Sequence, residues 1–426
     1  MVERTAATST LDAMSAASTR HVVVVGASLA GLRTCEALRQ QGFTGAVTLV
    51  GAEPDAPYNR PPLSKKFLAG AWGEDRVVLR RADDYAPLDI TQKYGVAAAG
   101  LDTGRKVVRL ADSGEIGYDA VVIATGCAAR TLPTFPLGPR VHHLRTLADA
   151  RRLAPMLVDG AKVVILGAGF IGLEVAATAV EKGCRVTVLE GQPAPLVRSI
   201  GASLGSRIAE MHRTRGVDVR CGVSVKGLVG GGTSSAGDVT GVEFADGSTL
   251  DADVVLVGVG AVPNVQWLAN SGLTVQDGVV CNEDLQADGD VVFAAGDVVR
   301  WPNSVFPEEP TMRVEHWTNA TEQDVAVARN VIARLGGQPL TAFSTVPFFW
   351  SDQFDFRVQL MGRASGDDDT TVIEGTLDSD VFAVAFSRGG TIRGVLGVGT
   401  PKLVIGAKQF VARRATLDET VAGLVG

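Results

Sequence analysis

From residue 21 onward, short unbroken apolar runs alternate with longer stretches in which apolar residues recur every three to four positions. Four of the runs, 21–25, 120–123, 162–166 and 254–257, are made almost wholly of Val, Ile, Leu and Ala, and all four lead directly or nearly so into glycine. Runs of that kind read as strands covered on both faces, and the 3.6-period stretches between them read as helices. The alternation predicts an α/β chain of two Rossmann-like, three-layer dinucleotide-binding domains with parallel sheets. Near residue 338 the pattern changes: Phe348, Phe349, Trp350, Phe354 and Phe356 cluster, and shorter strand signals follow. A smaller α+β C-terminal domain is expected there, over 337–426. The first Rossmann domain is expected to be discontinuous, 20–139 and 263–336, with the second, 140–262, inserted into it. Residues 1–19, rich in Ala, Ser and Thr, read as a disordered tail, and the Gly/Ser-rich stretch Val229 to Asp238 reads as a mobile hairpin tip.

The two domains carry the same phosphate-cradling phrase. After 21–25 come Gly26, Ser28, Ala30 and Gly31; after 162–166 come Gly167, Gly169, Phe170, Ile171 and Gly172. In G-x-G-x-x-G the first glycine makes the tight turn and the second lets the backbone approach a pyrophosphate. The third packs helix against strand, and the helix N-terminus supplies donors for the anion. The second loop matches all three positions, whereas Ser28 replaces the middle glycine of the first. Its hydroxyl is small enough to stay and could itself face a phosphate. Each phrase is followed, eleven residues after its last glycine, by another glycine (Gly42, Gly183), and then by a strand ending near an acid, Glu53 or Glu190. A carboxylate at Glu190, 23 residues past Gly167, accepts from a ribose 2′-hydroxyl and repels a 2′-phosphate, which favours NADH over NADPH. Arg198 lies near enough in sequence to reach a phosphate. Glu174, two residues past Gly172, has two readings: a carboxylate favoured by the helix dipole, or one that faces a nicotinamide carboxamide. Two such domains in one chain imply two dinucleotides face to face, the arrangement needed for hydride transfer from a nicotinamide to a flavin.

Composition narrows this reading. Among 426 residues, 46 % are hydrophobic and 20 % charged, as in a globular protein of more than one core. The net charge of −7 argues against a nucleic-acid binder. No apolar run reaches the roughly 18–20 residues that span a bilayer. The five cysteines, at 35, 127, 184, 221 and 281, are dispersed, with neither a C-x-x-C pair nor zinc spacing. With no secretion signal, they point to a reducing cytoplasm.

The stretch Tyr58-Asn59-Arg60-Pro61-Pro62-Leu63-Ser64-Lys65 resembles the R-P-P-L-S-K signature of NADH-dependent ferredoxin reductases of oxygenase systems. The resemblance continues through Ala124-Thr125-Gly126 with Arg130, Ala295-Gly296-Asp297, Glu315-His316-Trp317-Thr318-Asn319-Ala320 and Phe349-Trp350-Ser351-Asp352-Gln353-Phe354. It implies an FAD-binding domain at 20–139 and 263–336, an NAD-binding domain at 140–262 closed by Gly260, and a C-terminal interface domain. Lys65 would lie beside the flavin ring near N5 and stabilise the charge of the reduced form. Thr125, Gly126 and Arg130 would flank FAD, and Asp297, placed by the Gly296 turn, would accept a ribitol hydroxyl. Glu315, His316 and Trp317 would lie by the pyrimidine side, and Trp350 would close over the isoalloxazine. Glu53 would bind adenosine ribose hydroxyls; the chain departs from the family pattern at Ser28 and at Ala52, where relatives often carry an acid, so part of that ribose contact would pass to other groups.

Disulfide reductases of related architecture carry two cysteines beside the flavin, and related peroxidases and oxidases carry one where this chain has Ser64. A serine hydroxyl supports neither disulfide nor sulfenic-acid chemistry. Electrons arriving as a hydride then leave singly, to an external carrier. The expected activity is NADH to FAD to an iron–sulfur ferredoxin, most simply a [2Fe–2S] protein, which feeds a haem monooxygenase or a Rieske-type oxygenase. The rivals are an NADH oxidase or diaphorase (quinone reductase) that needs no ferredoxin, and a redox-sensing flavoprotein like apoptosis-inducing factor. No metal site, membrane or nucleic-acid partner is expected, and both a monomer and a dimer fit. The five histidines read as structural or solvent-exposed, because hydride transfer needs geometry rather than an acid–base pair. Arg300, Arg313, Arg329 and Arg334 are the candidate docking patch for an acidic ferredoxin.

Overall fold

A computed structural model describes residues 20–230 and 239–425; the tail of 1–19 and most of the Gly/Ser-rich stretch lie outside the described residues. The chain forms two compact units. Among the described residues, one comprises 20–59, Val78–Cys127 and Pro263–Thr345; the other comprises Arg60–Val77, the described part of Ala128–Val262, and 346–425.

The first unit is built on a five-stranded sheet in the order Val292–Ala294, Ala120–Ile123, His21–Val25, Ala46–Val50, Thr91–Lys93, with every pairing parallel. Val22, Val23 and Val24 in its middle strand are fully buried, as a run sandwiched between two layers must be. The first glycine helix, Leu29–Gln40, packs beside the long helix Trp317–Leu335.

The second unit repeats this order. Its parallel sheet runs Val141–His142, Val254–Val257, Lys162–Leu166, Arg185–Glu190, Asp218–Cys221. The glycine-bearing strand is again central, and the second glycine helix, Phe170–Glu181, follows it. The same unit holds an antiparallel sheet ordered Phe348–Gln353, Phe356–Gly362, Thr391–Val398, Phe382–Arg388, Asp369–Gly375. Two helices, Pro401–Ala412 and Leu417–Val425, follow that sheet. The clustered aromatics seen in the sequence are the first strands of this C-terminal sheet, so the expected fold class holds.

Arg60–Val77 belongs to the second unit by packing. The Pro61–Ser64 turn lies against the second glycine helix, where the Thr178 hydroxyl donates to the Ser64 carbonyl at 2.9 Å. Double proline pre-sets the backbone of such a turn, which fixes the direction in which Ser64 and Lys65 leave it. Among the described residues, no helix is long and apolar enough to cross a membrane and no side-chain cluster could hold a metal ion.

Candidate functional site

Both glycine loops are built for close approach. Gly26 has φ +122°, and a Cβ there would sit 2.1 Å from the Ala124 carbonyl oxygen. Gly167 has φ +97°, with a Cβ that would meet the Gly258 oxygen at 2.4 Å. The last glycines are excluded from substitution in the same way: a Cβ on Gly31 or Gly172 would strike the oxygen of Gly26 or Gly167 at 1.8 and 2.4 Å. The middle position differs. A Cβ on Gly169 would meet nothing within 4 Å, and its backbone is extended. Open space at that spot is what an incoming pyrophosphate needs. Ser28 is the N-cap residue of its helix, in extended backbone, yet its hydroxyl makes no capping bond and stays available to a ligand.

Around the first loop, Gly296 has φ +82° and a Cβ there would come within 3.0 Å of Ala30 Cβ, so the two segments touch. Gly296 N–H donates to Gln323 Oε1 at 2.8 Å, which pins the turn that carries Asp297. Thr125 Oγ1 donates to the Asn264 carbonyl at 2.8 Å, and Asn264 Nδ2 returns a bond to the Thr125 carbonyl at 2.9 Å, holding the Gly126 turn. The Tyr58 hydroxyl donates to Glu53. Glu315 accepts from Arg313 Nη1 at 2.5 Å, His316 is the N-cap residue of the helix that Trp317 begins, and the Trp317 indole donates to Asn59 Oδ1 at 2.9 Å. Three of the four arginines of the candidate docking patch are ion-paired: Arg300 and Arg313 with Asp277, and Arg334 with Asp290. Their local charge is therefore smaller than their sequence spacing implies; Arg329 is exposed.

In the second unit, Glu190 closes the glycine loop from below. Its Oε2 accepts from Ala168 N–H at 2.8 Å and its Oε1 from Gln192 N–H at 2.9 Å. Four lone-pair directions on a carboxylate leave capacity for ribose hydroxyls. Gly260, φ +104°, accepts from Arg130 N–H at 2.9 Å. Phe170 packs edge-on against Phe349 at 4.6 Å between centroids, Ile171 is exposed, and Trp350 stacks with Phe348 at 6.1 Å.

Glu174 is the fifth residue of its helix, and no acidic residue lies in the first turn, so attraction to the helix dipole does not explain it. It is buried and surrounded by donors. Lys65 Nζ is 2.7 Å from Oε2, the Ser64 hydroxyl donates to the same oxygen at 2.5 Å, and the Ser351 hydroxyl donates to Oε1 at 2.7 Å. Lys65, Ser64 and Glu174 thus form one site. Ser64 and Ser351 stand inside two of the motifs that carry the family resemblance, but the sequence marks Ser64 only as the place of a missing thiol and gives Ser351 no role.

The sequence matches the model of the family described as pyridine nucleotide-disulphide oxidoreductase over residues 20–323, and that described as reductase C-terminal over 348–423. A ferredoxin–NAD(P)(+) reductase of Sphingomonas sp. is 37 % identical over 93 % of this chain and 94 % of its own. Rhodocoxin reductase of Rhodococcus erythropolis is 35 % identical over 93 % of this chain and 90 % of its own. Among solved structures, the putidaredoxin reductase chain of a covalent complex with putidaredoxin superposes with a TM-score of 0.88 at 32 % identity, covering 95 % of this chain and 99 % of that one. The duplicated parallel sheet, the paired glycine cradles and these matches agree: the chain is an enzyme belonging to the pyridine nucleotide-disulphide oxidoreductase family.

Proposed function

We propose that this enzyme is an NADH-dependent, FAD-containing ferredoxin reductase, passing electrons to a small iron–sulfur ferredoxin, most simply [2Fe–2S], that serves a haem monooxygenase or a Rieske-type oxygenase. The observation that carries the reading is the Lys65–Glu174 pair with Ser64, and no thiol, beside it. FAD supplies acceptance of a hydride and release of electrons one at a time. The chain's residues bind, orient and tune. Gly26, Ser28, Ala30 and Gly31 cradle its pyrophosphate, and Glu53 takes the adenosine ribose. Thr125, Gly126 and Arg130 flank it, while Asp297 beside Gly296 takes the ribitol and Glu315, His316 and Trp317 the pyrimidine edge. Gly167, Gly169, Phe170, Ile171, Gly172, Glu190 and Gly260 hold NADH. Lys65 holds a positive charge by the flavin, Glu174 fixes that ammonium, and Trp350 excludes water from the ring. The functional division of the chain is an FAD domain of 20–139 and 263–336, an NAD domain of 140–262 and a C-terminal domain of 337–426. The enzyme acts in the cytoplasm.

The reading is tested by NADH-driven cytochrome c reduction with and without a [2Fe–2S] ferredoxin. A large ferredoxin-dependent rise is expected, and it should shrink as salt is raised, because charge complementarity sets the encounter rate. A rate indifferent to ferredoxin, together with rapid oxygen or quinone turnover, would favour the oxidase or diaphorase instead.

A further inference from the structure

From Glu174 a file of hydrogen-bonded side chains runs through the antiparallel sheet to His212 on the helix Ala202–Arg213. Gln353 Nε2 is 2.9 Å from Ser351 Oγ, and His212 Nε2 is 2.8 Å from Gln353 Oε1. Ser351 and Gln353 are each 1 % exposed and His212 is fully buried. The direction of every bond in the file is forced. Ser351 has one proton, and it goes to the Glu174 carboxylate. The hydroxyl must then accept from the Gln353 amide group. A reversed amide would ask the same proton to serve two acceptors. With the Gln353 oxygen facing His212, the imidazole must donate from Nε2.

The end of the file agrees with this direction. His212 Nδ1 is buried without a hydrogen-bond partner among the described residues, as the bare acceptor of an Nε2–H tautomer would be. Burial pushes the His212 pKa down to about 4, only partly offset by the bond to Gln353, so the ring is neutral near pH 7. Phe354 and Phe356 pack edge-on against it at 5.3 and 5.9 Å and hold it in place. All the dipoles therefore present their positive ends toward Glu174, and bonds aligned in this way polarise one another. Lys65 and Ser64 occupy the opposite oxygen of the same carboxylate.

We infer that Ser351, Gln353 and His212 are positioning residues: a one-way relay from the C-terminal sheet that fixes the Glu174 carboxylate, absorbs part of its charge, and so sets how much positive potential Lys65 presents. The inference rests on the reading that Lys65 serves the flavin. Losing the relay leaves more of the Glu174 charge to oppose Lys65, which disfavours the anionic reduced cofactor.

The test is an equilibrium redox titration of the FAD-loaded protein, its Ser351→Ala and Gln353→Met variants, and Lys65→Met in parallel. Gln353→Met is close in size, carries no charge and cannot donate to Ser351, so it breaks the direction of the relay without opening a large cavity. It also serves if Ser351→Ala does not load cofactor. Both relay variants should lower the flavin midpoint potential by about 30 mV, a tenfold change in a two-electron equilibrium, and Lys65→Met should lower it further. If Lys65→Met moves the potential and folded relay variants stay at the parent value, the relay is refuted while the site reading stands. If Lys65→Met itself leaves the potential unmoved, the site reading fails and takes the inference with it.

Discussion

Replacing Lys65 with methionine should slow the bleaching of the bound flavin by NADH about a hundredfold, the usual effect of deleting one preorganised electrostatic group. Methionine keeps most of the aliphatic stem, so the change removes charge more than packing. The ammonium lies 2.7 Å from Glu174 in a site where Lys65 is 18 % and Glu174 is 7 % exposed by side chain. Breaking a buried ion pair commonly costs about 3–5 kcal/mol, because the surviving charge is left without compensation. Here Glu174 keeps the Ser64 and Ser351 hydroxyls, so the loss of stability should fall below that range. Stopped-flow absorbance under anaerobic conditions, with thermal melting as the control, separates the two effects. A variant that is reduced as fast as the parent would remove Lys65 from the chemistry.

The second large effect concerns the nicotinamide substrate. Efficiency with NADH should exceed that with NADPH by at least a hundredfold, and Glu190→Gln should erase most of the difference. Two unit charges about 4 Å apart at an effective dielectric near 20 repel by about 4 kcal/mol, more than enough for that ratio. The Glu190 carboxylate is held against the glycine loop by the amides of Ala168 and Gln192, so it cannot swing aside to relieve the repulsion. Glutamine can keep only one of those two backbone bonds, and the fall in NADH efficiency should therefore accompany the gain in NADPH. Steady-state kinetics with both nucleotides decides it: equal efficiencies in the parent enzyme would contradict the role of Glu190.

Much of the fold is legible in the sequence because it follows from local pattern. Unbroken Val and Ile runs such as 21–25 have few structures open to them other than a strand covered on both faces. The glycines were legible for a related reason: the turns at Gly26 and Gly167 have no room for a side chain, so the chemistry shows in the residue type. The surroundings of Glu174 were not legible. Ser64 stands 110 residues from it in sequence and Ser351 stands 177 residues away, and neither separation leaves a periodic signal. His212 shows the same limit. On its helix it looks like an ordinary core histidine, and only the partner on a distant strand, Gln353, gives it a direction. Ion pairing was equally hidden: Arg300, Arg313 and Arg334 suggest a positive patch until Asp277 and Asp290 are seen beside them.

The central claim is that two electrons enter together from NADH and leave one at a time. An anaerobic titration with a [2Fe–2S] ferredoxin tests it most directly. One equivalent of NADH should bleach the yellow protein, and the colour should then return as oxidised ferredoxin is added, complete at two equivalents and with both equivalents of ferredoxin reduced. A bleached protein that ferredoxin leaves unchanged, but that oxygen or a quinone recolours at once, would contradict the account.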